Sequence, residues 1–240
     1  MNWTDEGLLL SVKPHGERAA VIQVLTENKG LHAGLVQNAF SRKMNSTLQP
    51  SNQLCLNWSS RLEENLGIYK ADLLRSRVDI FLSNKLALNV FNSISALCLS
   101  TLAERDPIPE LYKITTNFLD QIATIKKWEF IYINWELNLL TSLGYGLDLK
   151  KCVATGTTEN LFYISPKSGK AVCKEKGLKY DKKLLRFPTI LRDEEINYEF
   201  SRSDLLDGLK IVGDYLDKTI LRPNNLNQPI SRLQFINTLK

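Results

Sequence analysis

Residues 11–43 read SVKPHGERAAVIQVLTENKGLHAGLVQNAFSRK, and the apolar runs and turn residues in this segment predict the fold of the N-terminal part of the chain. Two short apolar runs, residues 7–13 and 19–25, flank a break at residues 14–16, where Pro and Gly favour a turn. Residues 28–30 offer a second turn, because Asn and Gly tolerate positive φ. Residues 31–37 follow as a third apolar run, so the stretch predicts two consecutive hairpins.

Two further strands are predicted beyond a polar loop at residues 38–52. Residues 53–58 alternate, so that Leu54, Leu56 and Trp58 fall on one face of a strand. Residues 66–74 form a fifth run. Five short strands separated by turns in under 80 residues predict a small closed or partly open barrel.

The pattern changes to helical spacing after about Arg77. The apolar positions predict one helix over residues 79–104 with Ser83 as its N-cap, and Pro107 or Pro109 can open the next helix. Further helical stripes are predicted at residues 128–143, 201–221 and 230–238, while residues 147–190 read as irregular.

The expected fold class is therefore α+β, with two domains. Residues 1–78 are predicted to form an OB-type nucleic-acid-binding barrel. Residues 79–240 are predicted to form a helical bundle that carries an irregular, Lys-rich insertion at about residues 150–190.

Composition allows several classes of function and disfavours others. The chain has 240 residues and a net charge of +5, an excess that permits a polyanionic partner without requiring one. The N-terminus lacks the cations of a secretory signal, and no apolar stretch approaches the roughly 20 residues of a membrane span. We therefore expect a cytoplasmic protein with no membrane partner, whose four cysteines are free thiols.

The sequence predicts neither catalysis nor a cofactor. His15 and His32 are the only histidines, and neither has a Ser or Cys partner at a recognisable nucleophile turn. No phosphate-binding glycine loop is present. The acidic pairs Glu63–Glu64 and Glu194–Glu195 consist of sequence neighbours, whose side chains diverge on a strand or a helix and so form no shared acid–base site.

A metal site is also not expected. Structural zinc sites commonly use two C-x-x-C turns, whereas Cys152 is followed at the third position by Thr155 and Cys173 by Lys176. Two thiolates do not complete such a site, and the Lys176 ammonium would repel the ion. Cys152 and Cys173 are the candidate ligands if a metal is bound, and small buried thiols otherwise.

Basic residues gather in two regions. Residues 167–186 contain eight Lys and Arg against Glu175 and Asp181, which fits either a solvated surface or an arm that neutralises phosphates. In the barrel, Phe40 is the candidate base-stacking ring, while Trp58 belongs to the core face. Arg77 also carries one of the positive charges of the barrel region. The predicted DNA-binding residues are Lys13, His15, Arg18, Lys29, Phe40, Arg42, Lys43, Arg61, Arg75, Lys167, Lys170 and Lys174.

Several segments, in this order, resemble one bacterial family. They are PHGE (14–17), VLTENKGLHAGLV (24–36), SRK (41–43), LQP (48–50), ERDPIPELY (104–112), WELNLLTSLGYGLDLKKCVATG (135–156) and YISPKSGKAV (163–172). Together they resemble RecO, a family of recombination mediators in DNA repair, over nearly the whole chain.

The resemblance implies an N-terminal OB barrel, a helical bundle and a zinc-ribbon-like insertion. It also implies binding of single- and double-stranded DNA, annealing of strands, and partnership with RecR and with the C-terminal tail of the single-strand-binding protein, so that RecA can load. The residues depart from the family where Thr155 and Lys176 replace zinc-ligating cysteines, and where Gln37–Phe40 replaces a more basic, Gly-containing segment.

Two other functions remain open on the sequence. The chain could be an interaction adaptor whose barrel docks proteins rather than DNA. It could also be an RNA-binding barrel associated with translation, although the helical body adds nothing to that function.

Overall fold

The protein consists of two compact units, Met1–Thr124 and Ile125–Lys240. A computed structural model describes residues 1–125, 128–192 and 200–239. The acidic pair Glu194–Glu195 lies outside the described residues.

The first unit begins with a closed five-stranded barrel. Its strands are β1 (Asn2–His15), β2 (Ala19–Thr26), β3 (Gly30–Val36), β4 (Gln53–Ser59) and β5 (Ile68–Arg75). They are ordered β1-β2-β3-β5-β4, and all neighbours are antiparallel except β3 and β5. The long strand β1 pairs with β4 through its first half and with β2 through its second half, with a register shift between Leu9 and Ser11. The predicted barrel is confirmed.

Alternation along the strands separates the barrel core from its outer surface. Leu54, Leu56 and Trp58 are buried, as their spacing predicts. The two turns of the β1–β2–β3 meander use Gly16 and Gly30 at positive φ, +67° and +68°. A Cβ atom at Gly30 would lie 2.2 Å from the carbonyl oxygen of Asp106, whereas one at Gly16 would meet nothing within 4 Å.

The helices of the first unit differ in two places from the sequence prediction. The segment expected to be a polar loop contains α1 (Arg42–Thr47). The single helix predicted over residues 79–104 is wrong: α2 (Val78–Ser83) and α3 (Lys85–Thr101) are separated by Asn84. The Asn84 side chain, rather than Ser83, caps α3 by accepting from the amides of Leu86 and Ala87.

Helix α4 (Pro109–Gln121) begins at Pro109, where proline fits the first turn. Within this unit α3 and α4 pack on the barrel: the Ser95 hydroxyl donates to the Leu10 carbonyl at 3.0 Å, and Gln53 donates to the Tyr112 hydroxyl at 3.2 Å. The compact units thus divide after α4, and the domain division after residue 78 stays a prediction.

Helices α5 (Trp128–Ser142), α7 (Arg202–Leu216) and α8 (Ile230–Thr238) form the body of the second unit. A π-helical turn, Asp217–Leu221, and a 3-10 turn, Arg222–Asn224, extend α7. The buried Arg232 guanidinium joins these helices by donating to both carboxylate oxygens of Glu136, at 2.7 and 2.8 Å, and to the Leu209 carbonyl.

The insertion between α5 and α7 is an ordered sheet rather than the irregular segment that the sequence suggests. Strands β6 (Leu161–Ile164), β7 (Ala171–Cys173) and β8 (Leu185–Arg186) are ordered β7-β6-β8 and pair antiparallel. Helix α6 (Lys174–Gly177), a 3-10 segment at Leu178–Lys183 and a 3-10 turn at Thr189–Leu191 complete it. In the described part of the chain, no helix is both long and apolar enough to cross a membrane.

Candidate nucleic-acid interface

One end of the barrel brings together six of the predicted DNA-binding residues. The β1–β2 turn and the segment after β3 meet there, because the Ala39 amide donates to the Arg18 carbonyl at 2.8 Å. We call this the hairpin-end surface; it comprises Lys13, His15, Arg18, Phe40, Arg42 and Lys43, all of them exposed.

Local backbone geometry places the last three residues of this surface. Asn38 adopts a positive φ of +51°, a conformation that asparagine tolerates, so the chain reverses at the end of β3. Ser41 then caps α1 by accepting from the Met44 amide. Because Ala39 is buried in the barrel core and Met44 packs against it, Arg42 and Lys43 lie on the outer side of this short helix.

The hairpin-end surface is strongly cationic. Among the described residues, none of its five basic side chains has a carboxylate within 4.0 Å, and Glu17 is the only acid in residues 13–18 and 38–43. The Phe40 ring is 47% exposed beside these charges. The surface therefore offers free cations for phosphates and an accessible ring for a base.

A row of outward side chains, which the sequence analysis missed, continues this surface across the barrel. Strand register aligns Lys13 with Val21, Val21 with Leu35, and Leu35 with Ile68, which is 45% exposed. The residues aligned one position further along these strands, in the next row of the sheet, point into the barrel core. Alternation within each strand would have revealed these outward residues, but only the register shows that they lie side by side.

Two of the remaining predicted cations in the barrel lie elsewhere. Lys29 occupies the β2–β3 turn, at the far end of an eight-residue strand and so about 25 Å along the barrel. Its turn is next to acidic groups, since Asp5 accepts from the backbone and side chain of Asn28. Arg75 is paired with Asp120.

Arg77 is a structural residue. It is 1% exposed, and its guanidinium donates to the Asp120 carboxylate at 2.7 Å, the Ser51 carbonyl and the Gln53 side chain. The charge of Arg77, counted above with those of the barrel region, is therefore not available at the surface, because Asp120, more than 40 positions away in the sequence, accepts a hydrogen bond from its guanidinium.

Arg61 lies in the β4–β5 loop and is exposed, but Glu63 and Glu64 follow it closely in the sequence. The loop is fixed by Arg105, whose guanidinium donates to the carbonyls of Glu63, Glu64 and Asn65. Arg61 therefore contributes less net positive charge than the cations of the hairpin-end surface.

The insertion of the second unit presents a separate basic surface. Lys174 lies over the Phe162 ring, 5.4 Å from its centroid, and the Arg186 guanidinium lies 5.9 Å from the same centroid. Lys167 is exposed in the β6–β7 turn. We call Phe162, Lys167, Lys174 and Arg186 the ribbon surface. Lys170, also predicted to bind DNA, faces Asp148 at 3.9 Å and is partly neutralised.

Sequence models of two protein families cover most of the chain. The family described as Recombination protein O N terminal matches residues 1–77, and the one described as Recombination protein O C terminal matches residues 86–227. The chain belongs to the RecO family. The recognition made from the ordered sequence segments is thereby confirmed, as are the α+β class and the OB barrel, the N-terminal domain of RecO proteins.

Relatives from several bacteria align with this chain along its entire length. The chain is similar to a protein named DNA repair protein RecO from Ruegeria sp., with 44% identity over 241 residues, covering 100% of this chain and 98% of the relative. Proteins of the same name from Rhodopseudomonas palustris and Bradyrhizobium sp. are 37% and 38% identical, with 100% of this chain and 96% of each relative covered. These names place the family in DNA repair and recombination.

The zinc ion implied by the RecO insertion does not fit this chain. Cys152 and Cys173 are neighbours, but Thr155, whose hydroxyl lies 3.8 Å from the Cys173 sulfur, supplies no thiolate where a further ligand would be needed. Among residues 1–125, 128–192 and 200–239, no group of three or more His, Cys, Asp or Glu could hold a metal.

Within the residues that the structure describes, neither imidazole lies in a recognisable catalytic set. His15 is exposed in the β1–β2 turn, while His32 is buried and shares a 2.7 Å hydrogen bond between its Nδ1 atom and the Tyr69 hydroxyl. Burial is the main cause that raises the pKa of Tyr69, which therefore remains a neutral partner of His32. The cluster stabilises the barrel rather than presenting reactive groups.

Proposed function

We propose that this RecO protein is a non-catalytic, DNA-binding recombination mediator. It anneals complementary strands and assists the loading of RecA onto single-stranded DNA covered by the single-strand-binding protein. The observation that carries the proposal is the hairpin-end surface, where four lysine and arginine side chains, with no carboxylate of the described residues within 4.0 Å, lie together with His15 and an exposed ring on an OB barrel.

The surface suits a nucleic acid that is bound through its phosphates, without regard to its base sequence. Lysine and arginine neutralise phosphates and release condensed counterions, which favours binding but carries no base information. Phe40 and the apolar row of Val21, Leu35 and Ile68 can contact bases of any identity. Two strands held on one cationic surface repel each other less, so annealing needs no nucleotide hydrolysis.

The proposed partners are single- and double-stranded DNA, RecR and the C-terminal tail of the single-strand-binding protein. Membership of the RecO family supports RecR and the tail as partners, and the charge distribution supports DNA. A cytoplasmic location, where these partners act, belongs to the same proposal.

The first test measures how affinity for a labelled oligonucleotide depends on salt. If phosphates provide the attraction, the logarithm of the binding constant falls linearly with the logarithm of salt concentration, with a slope of magnitude roughly 3 to 4 for the surface described. Fluorescence anisotropy over a salt series gives this slope. A binding constant that does not change with salt would contradict the phosphate mechanism.

The second test removes cations at defined places. The double variant Arg42→Ala/Lys43→Ala should lower the slope by about 2 and weaken single- and double-stranded DNA alike. The matched control Lys29→Ala/Lys85→Ala removes the same charge from the opposite turn and from the start of α3, and should retain most of the affinity. Equal losses in both variants would mean that the hairpin-end surface is not the binding site.

The same measurements separate the other functions. An adaptor would bind RecR or the acidic tail in a pull-down yet fail to bind oligonucleotide at low salt. An RNA-binding barrel would prefer RNA to DNA of the same sequence. Comparable affinity for both DNA forms, with no preference for RNA, is the result expected of a recombination mediator.

A further inference from the structure

Cys152 and Cys173 form a thiol pair that the proposed function does not use. Cys152 sits in a closed turn, since its amide donates to the Thr157 carbonyl at 2.7 Å and its carbonyl accepts from the Gly156 amide at 2.8 Å. Cys173 ends β7. The Cys173 amide donates to the Cys152 sulfur at 3.2 Å, so the two residues are in direct contact.

The backbone around the pair has the spacing of neighbouring strands. The Val153 amide donates to the Ala171 carbonyl at 2.9 Å, which joins the turn of Cys152 to the strand that ends at Cys173. Backbones joined in this way run about 5 Å apart. This spacing falls within the range of about 4.4–6.8 Å that a disulfide needs between its Cα atoms.

Polar groups contact both sulfurs of the buried pair. Both cysteines are nearly inaccessible, at 2% and 4% exposure, and pack with Tyr163 and Val172. The Cys152 sulfur accepts a hydrogen bond from the Cys173 amide, and the Thr155 hydroxyl lies 3.8 Å from the Cys173 sulfur. Residues 153–156, which directly follow Cys152, form an exposed turn beside the pair.

We propose that Cys152 and Cys173 are a modification site, at which a hydroperoxide converts two neighbouring thiols into a reversible disulfide. The covalent bond takes the place of the metal ion that would close a four-cysteine insertion. This inference is independent of DNA binding by the barrel.

The reaction balances with the hydroperoxide as the sole oxidant. The Cys152 thiolate attacks the peroxide oxygen, the O–O bond breaks, and Cys152 becomes a sulfenic acid while hydroxide leaves and takes up a proton as water. The Cys173 sulfur then attacks the sulfenic sulfur, the S–S bond forms, and a second water leaves with the Cys173 proton. Two thiols and one peroxide give one disulfide and two waters.

The bond would fix the base of the ribbon surface. The closed loop contains β6 and the β6–β7 turn with Lys167, and Cys173 directly precedes Lys174. Closing a loop restricts mainly the unfolded chain, so the oxidised insertion should resist unfolding and proteolysis better than the reduced one.

The test uses the full-length protein. Reduced protein is treated with a small molar excess of hydrogen peroxide, free thiols are alkylated, and a digest without reductant is analysed by mass spectrometry. We expect a linked peptide pair containing Cys152 and Cys173, lighter by two hydrogen atoms than the separate peptides and separated again by dithiothreitol. Cys55, half-buried in the barrel, should remain alkylated and serves as the internal control.

Matched variants keep the result interpretable. Cys55→Ser should form the linked pair as readily as the unchanged protein, whereas Cys152→Ser should leave Cys173 free or singly oxidised, with circular dichroism used to confirm that it folds. Full alkylation of both cysteines after peroxide, over-oxidation of Cys152 to sulfinic acid without a link, or one zinc per purified chain would each overturn the proposal.

Discussion

His32 is a histidine whose surroundings keep it uncharged. Its ring is 4% exposed and lies edge-on to Trp3 and Trp58, with ring centroids 5.0 and 5.4 Å away. Burial, followed by repulsion from Arg105 and Lys29, lowers the pKa of His32 to about 4, although a backbone hydrogen bond at Ala33 acts in the opposite direction. At neutral pH the imidazole is therefore a neutral partner of Tyr69.

This lowered pKa predicts that the protein loses stability in mild acid. The unfolded chain takes up a proton at His32 near its ordinary pKa of 6.5, while the folded protein resists until about 4. The contribution is thus present above pH 6.5 and is lost as the pH falls towards 4. Urea unfolding at about pH 7.5 and about pH 5 should differ by about 1–2 kcal/mol from this residue.

The variant His32→Gln isolates that contribution, because carboxylates also titrate in this range. The variant should be less stable at neutral pH, since glutamine replaces an aromatic ring in a packed cluster. Its additional loss between the two pH values should be smaller than that of the unchanged protein. An identical pH dependence would show that His32 titrates normally.

Sequence reasoning succeeded for single residues where the cause is local. Trp58 is buried because it shares a strand face with Leu54 and Leu56, as the alternation predicts. It failed for Arg77, whose partners Asp120 and Ser51 are distant in sequence. A cation's partner depends on tertiary folding, which a single sequence does not reveal directly.

The break between α2 and α3 shows how one side chain divides a helical pattern. Apolar spacing runs through residues 79–104 without interruption, so periodicity alone predicted one helix. Asn84 leaves helical geometry, with φ −128° and ψ 97°, and its side-chain oxygen accepts from two amides at the start of α3. The preference of asparagine for the N-cap position was the signal that could have located this break, whereas the sequence analysis assigns the cap to Ser83.

Replacing this cap should destabilise the protein measurably. Asn84→Ala leaves the amides of Leu86 and Ala87 without their acceptor, and we expect a loss of about 1 kcal/mol in the free energy of unfolding. Ser83→Ala is the matched control, because the Ser83 hydroxyl only donates to carbonyls within its own helix turn. Its effect should stay within about 0.5 kcal/mol, and chemical denaturation of both variants gives the comparison.

The insertion was missed as a sheet for a different physical reason. Its strands have four, three and two residues, which is too short for alternation to rise above chance. Lysine and glycine between them are typical of loops. The sheet is held by pairing across β6 and by burial of Tyr163, Val172 and the two cysteines, and these contacts join residues far apart in the chain.

Basic surfaces occur on both compact units of the molecule. The hairpin-end surface belongs to the first unit and the ribbon surface to the second. The net positive charge of the chain permits such surfaces, and the clustering of basic residues along the sequence indicates both regions. Folding decides which cations are free: Lys170 and Arg75 face carboxylates, whereas Arg42 and Lys174 have none within 4.0 Å in the described part of the chain.

If both surfaces bind phosphates of one DNA molecule, losses of charge should add. The variants Arg42→Ala/Lys43→Ala and Lys174→Ala/Arg186→Ala should each lower the salt slope by about 2, and the quadruple variant by about 4. Anisotropy titrations with an oligonucleotide long enough to reach both units measure the slopes. A ribbon variant with an unchanged slope would assign DNA binding to the barrel alone.

The two turns at the ends of β2 differ in how much space they leave for inserted residues. At Gly30 the backbone touches Asp106, so even a methyl group would collide, whereas the space around Gly16 is empty. The fold should therefore tolerate peptide tags inserted between residues 16 and 17. The same tags inserted beside Gly30 should disrupt the contact between the barrel and the segment that follows α3. A fluorophore carried at the permissive turn would sit among the barrel's free cations, where its emission could report the arrival of DNA.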